Sequence, residues 1–404
     1  MSIRSAPASA ASRGPGARQE RSAPAAIVIG AGPAGLASAA CLSRRGIGAR
    51  VFEQAANVGS AWRSHYDRLH LHTVKSHSAL PGMAFPANAP KYPSRREVIA
   101  YLEAYARHHR IAPEFGETVM AVLPTGDGWR VVTASGNDTH AHAVVIATGA
   151  NRVPRMPTFP GQASFGGQVL HSRAYRNADA FAGQRVLVVG MGNTGAEIAL
   201  DLAEKGVAVT LAVRSPLNIV RRDVLGRPTQ LTSIMLDRLP PRVGDPVATF
   251  LRNLTVGDLA RWGIARAQQS PLRQLRLEGR TPVIDIGTVA AIRRGEILVR
   301  PGIERFEADG VVFTDGRREG FDAVLMATGF EPAVQAMFPA TRLPLDASGL
   351  PLETVGRGDR SGLGFVGFDT RQAGGLLRTI AAQAEEVAQA LASRQAVTAA
   401  EPPG

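Results

Sequence analysis

The chain has one cysteine, Cys41, among 404 residues. A single thiol excludes an intrachain disulfide and a CxxC redox pair. Cys41 itself lies in an apolar stretch and reads as a packed side chain. Lysine is almost absent: Lys75, Lys91 and Lys205 are the whole set, so the 46 basic residues are nearly all arginine. No run of about 18 apolar residues occurs, which argues against a membrane-spanning helix. The nine histidines lack the spacing of a zinc site, and no zinc-finger, helix-turn-helix or RNA-binding signature is visible. Neither a bound metal nor a nucleic-acid partner is therefore expected. The first 22 residues are small, basic and proline-rich without the apolar core of a secretory signal, and read as a disordered tail. These absences together point to a cytoplasmic location.

What is present is a chain of 45% hydrophobic content with 43 glycines and 27 prolines. That is enough for a large core divided into two domains. The formal net charge of +12 favours anionic ligands, such as dinucleotide phosphates or a carboxylate substrate.

Two stretches repeat one pattern. In AIVIGAGPAGLASAA a short β-branched run leads into Gly30, Gly32 and Gly35, and a helix follows. In such a turn the first glycine permits the tight bend, the second lets a pyrophosphate approach the backbone, and the third permits close helix–strand packing. The helix N-terminus then faces the phosphates. The next strand ends in Glu53, 18 residues past Gly35. A carboxylate there accepts the ribose hydroxyls of an adenosine and repels a 2′-phosphate, so this site suits FAD or NAD. VLVVGMGNTGAEIAL repeats the spacing with Gly190, Gly192 and Gly195, but its second strand, AVTLAVRS, ends in Arg214. A guanidinium there pairs with a 2′-phosphate, so the second site favours NADPH. One site holds a flavin that stays; the other delivers hydride from a nicotinamide that comes and goes.

The strands HAVVIATGA and DAVLMATGF both end in ATG turns that read as hinges between domains. The expected fold is α/β, with two Rossmann-like dinucleotide-binding domains. The FAD domain is discontinuous, covering 23–160 and 320–395. The NADPH domain is inserted at 161–319, and short tails lie at 1–22 and 396–404.

Phe165, Gly167, His171 and Tyr175 fit F-x-G-x-x-x-H-x-x-x-Y, just before the second turn. With this motif the chain resembles the flavin-containing monooxygenases. It is most similar to their YUCCA branch through LHLHTVK (69–75), KYPSRREVIAYLEAYA (91–106), GRTPVIDIGTVAAIRRGEILVRPGI (279–303) and GLGFVGFDTRQAGG (362–375). The resemblance covers nearly the whole chain from about Ala25. It implies bound FAD, NADPH and molecular oxygen as co-substrates, a C4a-(hydro)peroxyflavin, and oxidative decarboxylation of a 2-oxo acid such as indole-3-pyruvate to indole-3-acetate. N- or S-oxygenation of a small amine or sulfide, or an oxidase releasing hydrogen peroxide, are the alternatives. One departure bears on this choice: His72 takes the place where general flavin-containing monooxygenases carry an asparagine near the flavin. Gly367-Phe368-Asp369 occupies the region of the GD motif found in disulfide reductases.

The resemblance also nominates site residues. His72 and Lys75 are candidate flavin or substrate contacts, against the alternative of a satisfied loop pair. Asn193 offers an amide toward the reactive face of the flavin, against the alternative of a backbone-capping side chain. Trp62 fits a flavin-contact loop or a core position. Gln372 and Gly374, with Gly375, precede the last helix and allow its N-terminus to approach the flavin carbonyls. Arg252, Arg261 and Arg266 are candidates for attracting an acidic substrate, against the alternative of solvated surface charges.

Overall fold

The computed structural model describes residues 24–400; the expected tail at 1–22 lies outside them. Two five-stranded, all-parallel sheets organise the chain. The first begins with β1 (Ala26–Ile29), α1 (Pro33–Ser43), β2 (Ala49–Glu53), β3 (Glu114–Phe115) and β4 (Ala143–Ile146). The second is built from β5 (Gln168–His171), β6 (Arg185–Val189), α2 (Asn193–Glu204), β7 (Ala208–Ala212), β8 (Ile297–Arg300) and β9 (Ala323–Met326). Between β7 and β8 stand α3 (Thr229–Asp237) and α4 (Pro241–Val256). β10 (Leu363–Phe365) then completes the first sheet, and α5 (Leu376–Ala400) packs against α1.

The two sheets share one plan. The first has the order β10-β4-β1-β2-β3 and the second β5-β9-β6-β7-β8. The glycine-turn strand is central in each, flanked by the strand after its helix and by the strand ending in ATG. β1, β4 and β9 are buried at every position, as parallel strands covered on both faces must be. The stretch at 119–141 forms an antiparallel meander, with its turns at Asp127-Gly128 and Gly136-Asn137.

One expectation is corrected. β9 pairs with β6 and β5, so DAVLMATG belongs to the second sheet and not to a returning segment that starts at 320. The chain leaves the first sheet after the ATG turn at 147–149 and the second after the ATG turn at 327–329. The two crossings lie side by side, because Val153–Pro154 and Phe330–Glu331 pair antiparallel. Each ATG turn follows the last-placed strand before the chain leaves its sheet, and the segment after the second turn begins near residue 330. At the other end, α5 runs to Ala400, past the expected boundary at 396.

The linker motif now has a physical reading. Phe165 packs edge-on to Phe306, with ring centroids 5.4 Å apart. A Cβ on Gly167 would lie 2.5 Å from the Asp322 carbonyl oxygen. His171 accepts the Arg173 N–H at Nδ1 (3.1 Å), so its Nε2 carries the proton and donates to the Gly329 carbonyl (3.0 Å). Tyr175 donates to Asp201 on α2 at 2.6 Å. The motif fixes the crossing to both the ATG turn and the second-turn helix.

Gln230, buried at the start of α3, ties three segments together. Its Oε1 accepts from the Val74 N–H at 2.7 Å, and its Nε2 donates to the Gly374 carbonyl. Gln230→Leu keeps the volume but leaves both backbone groups unpaired, which costs about 1–3 kcal/mol per buried group. Urea unfolding of the variant is expected to show a lowered midpoint with an unchanged slope; an unchanged midpoint would show that Gln230 ties nothing.

Candidate functional site

Both glycine turns adopt the same geometry. Gly30 and Gly190 have φ of +108° and +98°, and a Cβ on either would sit 2.7 or 2.8 Å from the carbonyl oxygen of Ala147 or Ala327, the alanines of the two ATG turns. A Cβ on Gly35 or Gly195 would lie 1.7 or 1.9 Å from the carbonyl oxygen of Gly30 or Gly190. By contrast, a Cβ on Gly32 or Gly192 would meet nothing within 4 Å. The middle glycines thus face open space where a pyrophosphate needs close approach. α1 and α2 start from Gly32 and Gly192 with no side-chain cap and no acid in the first turn. Their leading N–H groups are available to an anion.

The turns differ in what stands beside them. Glu53 is buried; its carboxylate accepts from Ala31 N (2.7 Å), Ala55 N (2.9 Å) and Ser60 Oγ (3.2 Å). This aims it across the first turn with acceptor capacity left for a ribose diol. In register, Ile29 faces Phe52 and Val189 faces Ala212. The counterpart of Glu53 is therefore Val213, and Arg214 stands one residue further along, exposed. The residue in the register of Glu53 is thus apolar at the second turn, and the arginine follows it.

Between the units, His72 meets Glu197 of α2, with Nε2 2.7 Å from Oε1. Glu197 is only 2% exposed. The contact is short but not a hydrogen bond: Glu197 Oε1 and His72 Nδ1 are both buried without a hydrogen-bond partner. Two unsatisfied polar atoms where the units meet fit a polar cofactor or substrate group there. Reading the sequence missed Glu197, although a signal existed. It lies two residues after Gly195, where the first turn has fully buried Ala37 after Gly35. Burial and Glu197 hold the Tyr66 hydroxyl well above its usual pKa. Burial first, then Arg173, lowers His65 to about 4, so it is neutral at pH 7. His65, Ser172, Arg173 and Thr194 line a narrow crevice beside the second turn.

Other nominated residues are committed elsewhere. Lys75 donates to the carbonyls of Ala87 (2.6 Å), Pro86 (3.4 Å) and Ala89, so its ammonium closes the 86–89 loop. Asn193 accepts from Ile284 N (2.7 Å) and donates to Pro282 O (3.4 Å), which fastens α2 to the strand Val283–Asp285. Gln372 is exposed and donates to Asp369 at 2.8 Å. Trp62 is half-buried, packing on the apolar cluster around β1, α1 and α5 and edge-on to His65. Arg252 is buried and donates to Asn218 and to the Ala267 carbonyl, so it clamps a loop and is not displayed to an acid. Gly374 and Gly375, with φ of +104° and +93°, lie where a Cβ would be 2.9 Å from Ile234 and 2.5 Å from Thr73. The loop at 72–74, α3 and the start of α5 therefore converge. Among the described residues no three His, Cys, Asp or Glu side chains are placed to share a metal.

The family model for pyridine nucleotide-disulphide oxidoreductases matches residues 27–230. Over 369 residues the chain is 39% identical to the indole-3-pyruvate monooxygenase YUCCA1 of Oryza sativa subsp. japonica, covering 90% of each protein. It is 38% identical to the probable indole-3-pyruvate monooxygenase YUCCA1 of Arabidopsis thaliana, covering 87% of this chain and 86% of that one. This chain belongs to the YUCCA-type flavin-containing monooxygenases. A solved flavin-containing monooxygenase from Stenotrophomonas maltophilia superposes with a TM-score of 0.71 at 25% identity, covering 92% of this chain and 98% of that one. A bacillithiol disulfide reductase from Staphylococcus aureus shares the fold at 15% identity and a TM-score of 0.67. The lone cysteine of this YUCCA-type chain, Cys41, is buried, which pushes the thiol up to about 12. It is a flavoprotein monooxygenase whose cofactors are FAD and NADPH, acting on a small organic substrate with molecular oxygen.

Two alanine substitutions separate the roles of the first turn. Gly35→Ala forces a Cβ into the Gly30 carbonyl and is expected to lower both stability and flavin content. Gly32→Ala has room to fold and is expected to keep the melting temperature of the apoprotein. Its FAD affinity falls about tenfold or more, since charge-assisted hydrogen bonds are worth about 1.5–3 kcal/mol each. Equal flavin affinity in Gly32→Ala and the parent chain would contradict this assignment.

Proposed function

We propose that the chain oxidatively decarboxylates an aromatic 2-oxo acid such as indole-3-pyruvate. The observation that carries this reading is 39% identity, across nine-tenths of both chains, to a protein named for that activity. Two features of the chain support it: the net charge of +12 draws an anionic acid, and His72 stands with an unpaired buried ring nitrogen where the units meet.

Atoms balance in the overall reaction. The 2-oxo acid, oxygen, NADPH and one proton give the acid shorter by one carbon, carbon dioxide, water and NADP⁺. Bound flavin supplies the two-electron chemistry that joins NADPH to oxygen. The protein's share is binding and orientation. In this reading the FAD-binding unit comprises the segments around the first sheet and the NADPH-binding unit those around the second. Gly30, Gly32, Gly35 and Glu53 hold the adenosine half of FAD. The glycines 374 and 375 let the N-terminus of α5 approach the flavin ring carbonyls. Gly190, Gly192, Gly195 and Arg214 hold NADPH. His72, kept against Glu197, contacts the reacting groups, while Lys75 and Asn193 act on the loops that shape the site.

With NADPH and oxygen, indole-3-pyruvate is expected to yield indole-3-acetate in step with NADPH consumption. Hydrogen peroxide at one equivalent per NADPH, with no acid product, would instead identify an oxidase. Arg214→Ser is expected to raise the KM for NADPH about tenfold and to leave that for NADH nearly unchanged, since one charge-assisted bond is lost. A parallel rise for both coenzymes would remove Arg214 from the 2′-phosphate site.

A further inference from the structure

α4 carries two opposite faces. Gly244, Ala248, Arg252 and Val256 are buried, and the helix packs against α3 and the helix Pro271–Glu278. On the far side Val243, Val247, Phe250 and Leu254 form one stripe at helical spacing, with Phe250 63% and Leu254 69% exposed. The exposed Met235 and Leu239 extend the stripe to the end of α3. The hairpin 223–228 joins it, since Arg227 reaches the Met235 sulfur at 3.8 Å. At the hairpin tip Leu225 is fully exposed with a φ of +49°. That conformation disfavours leucine, and no packing among the described residues repays it.

Arginines rim this face. Arg227, Arg238 and Arg242 are exposed and have no carboxylate partner among the described residues. The nearby acids Asp237 and Asp245 are both taken by Arg276. A second copy seated here would bring the same cationic rim against itself, on a chain of net charge +12. An anionic bilayer satisfies both features at once: apolar side chains enter the acyl boundary and arginines meet the lipid phosphates. No helix among the described residues is long and apolar enough to cross a membrane, so the contact is with the surface. We propose that α4, the end of α3 and the Leu225 hairpin dock this enzyme on anionic lipid.

The test is sedimentation of the full FAD-loaded chain with vesicles of phosphatidylcholine containing phosphatidylglycerol, and with vesicles of phosphatidylcholine alone. Binding is expected to the anionic vesicles, weakening as salt rises. The double variant Phe250→Asp, Leu254→Asp should lose about tenfold or more in affinity. Arg238→Glu with Arg242→Glu should weaken it as well. All variants should keep NADPH-driven flavin bleaching, which reports intact folding. Failure to sediment with either vesicle, or equal binding by the Phe250/Leu254 variant, would overturn the proposal. So would a dimer in analytical ultracentrifugation that Phe250→Asp dissociates, which would give the face to a second copy.

Discussion

The structure depends on a close approach of helix to strand, made twice. At each nucleotide turn the third glycine lies against the carbonyl of the first, so near that a single Cβ would overlap it. That approach aims the helix N-terminus at the space beside the middle glycine. The backbone carbonyl of the ATG alanine closes the other side of each turn. Two sheets of identical order follow from two copies of one packing solution.

The two turns share one geometry and differ in their flanks. Buried Glu53, held by two backbone N–H groups and Ser60, makes the first site hospitable to a ribose diol. Val213 in the equivalent register, followed by exposed Arg214, removes that carboxylate and adds a cation. The two sites are useful only if their units hold a defined relation. Gln230, on α3 of the second unit, supplies it through buried hydrogen bonds to Val74 and Gly374 of the first. The unpaired atoms of His72 and Glu197 lie within the same junction, where stability has been left incomplete.

Much of this was legible in the chain because it is local. Glycine spacing, β-branched strands and the acid ending β2 are short-range patterns with direct geometric consequences. The crossing between units was legible from the ATG repeat, yet its position was misjudged by about ten residues, because strand partners 130 or more residues apart decide which sheet β9 joins. Lys75 and Asn193 read as chemistry by residue type, whereas their hydrogen bonds go to backbone groups of loops that sequence does not place. Arg214 is nominated by the end of its strand, but the one-residue register offset that makes Val213 the counterpart of Glu53 is visible only in the sheet pairing. Glu197 was overlooked although the two turns, laid side by side, show an acid where its twin has alanine.

The claim that one fold holds two dinucleotides in distinct roles is tested most directly at the middle glycine of the second turn. Gly192→Val should purify with a full complement of FAD, yet its flavin absorbance should persist when NADPH is added without oxygen, while the parent chain bleaches. Loss of FAD from this variant, or bleaching at the parent rate, would contradict the assignment of the two sites.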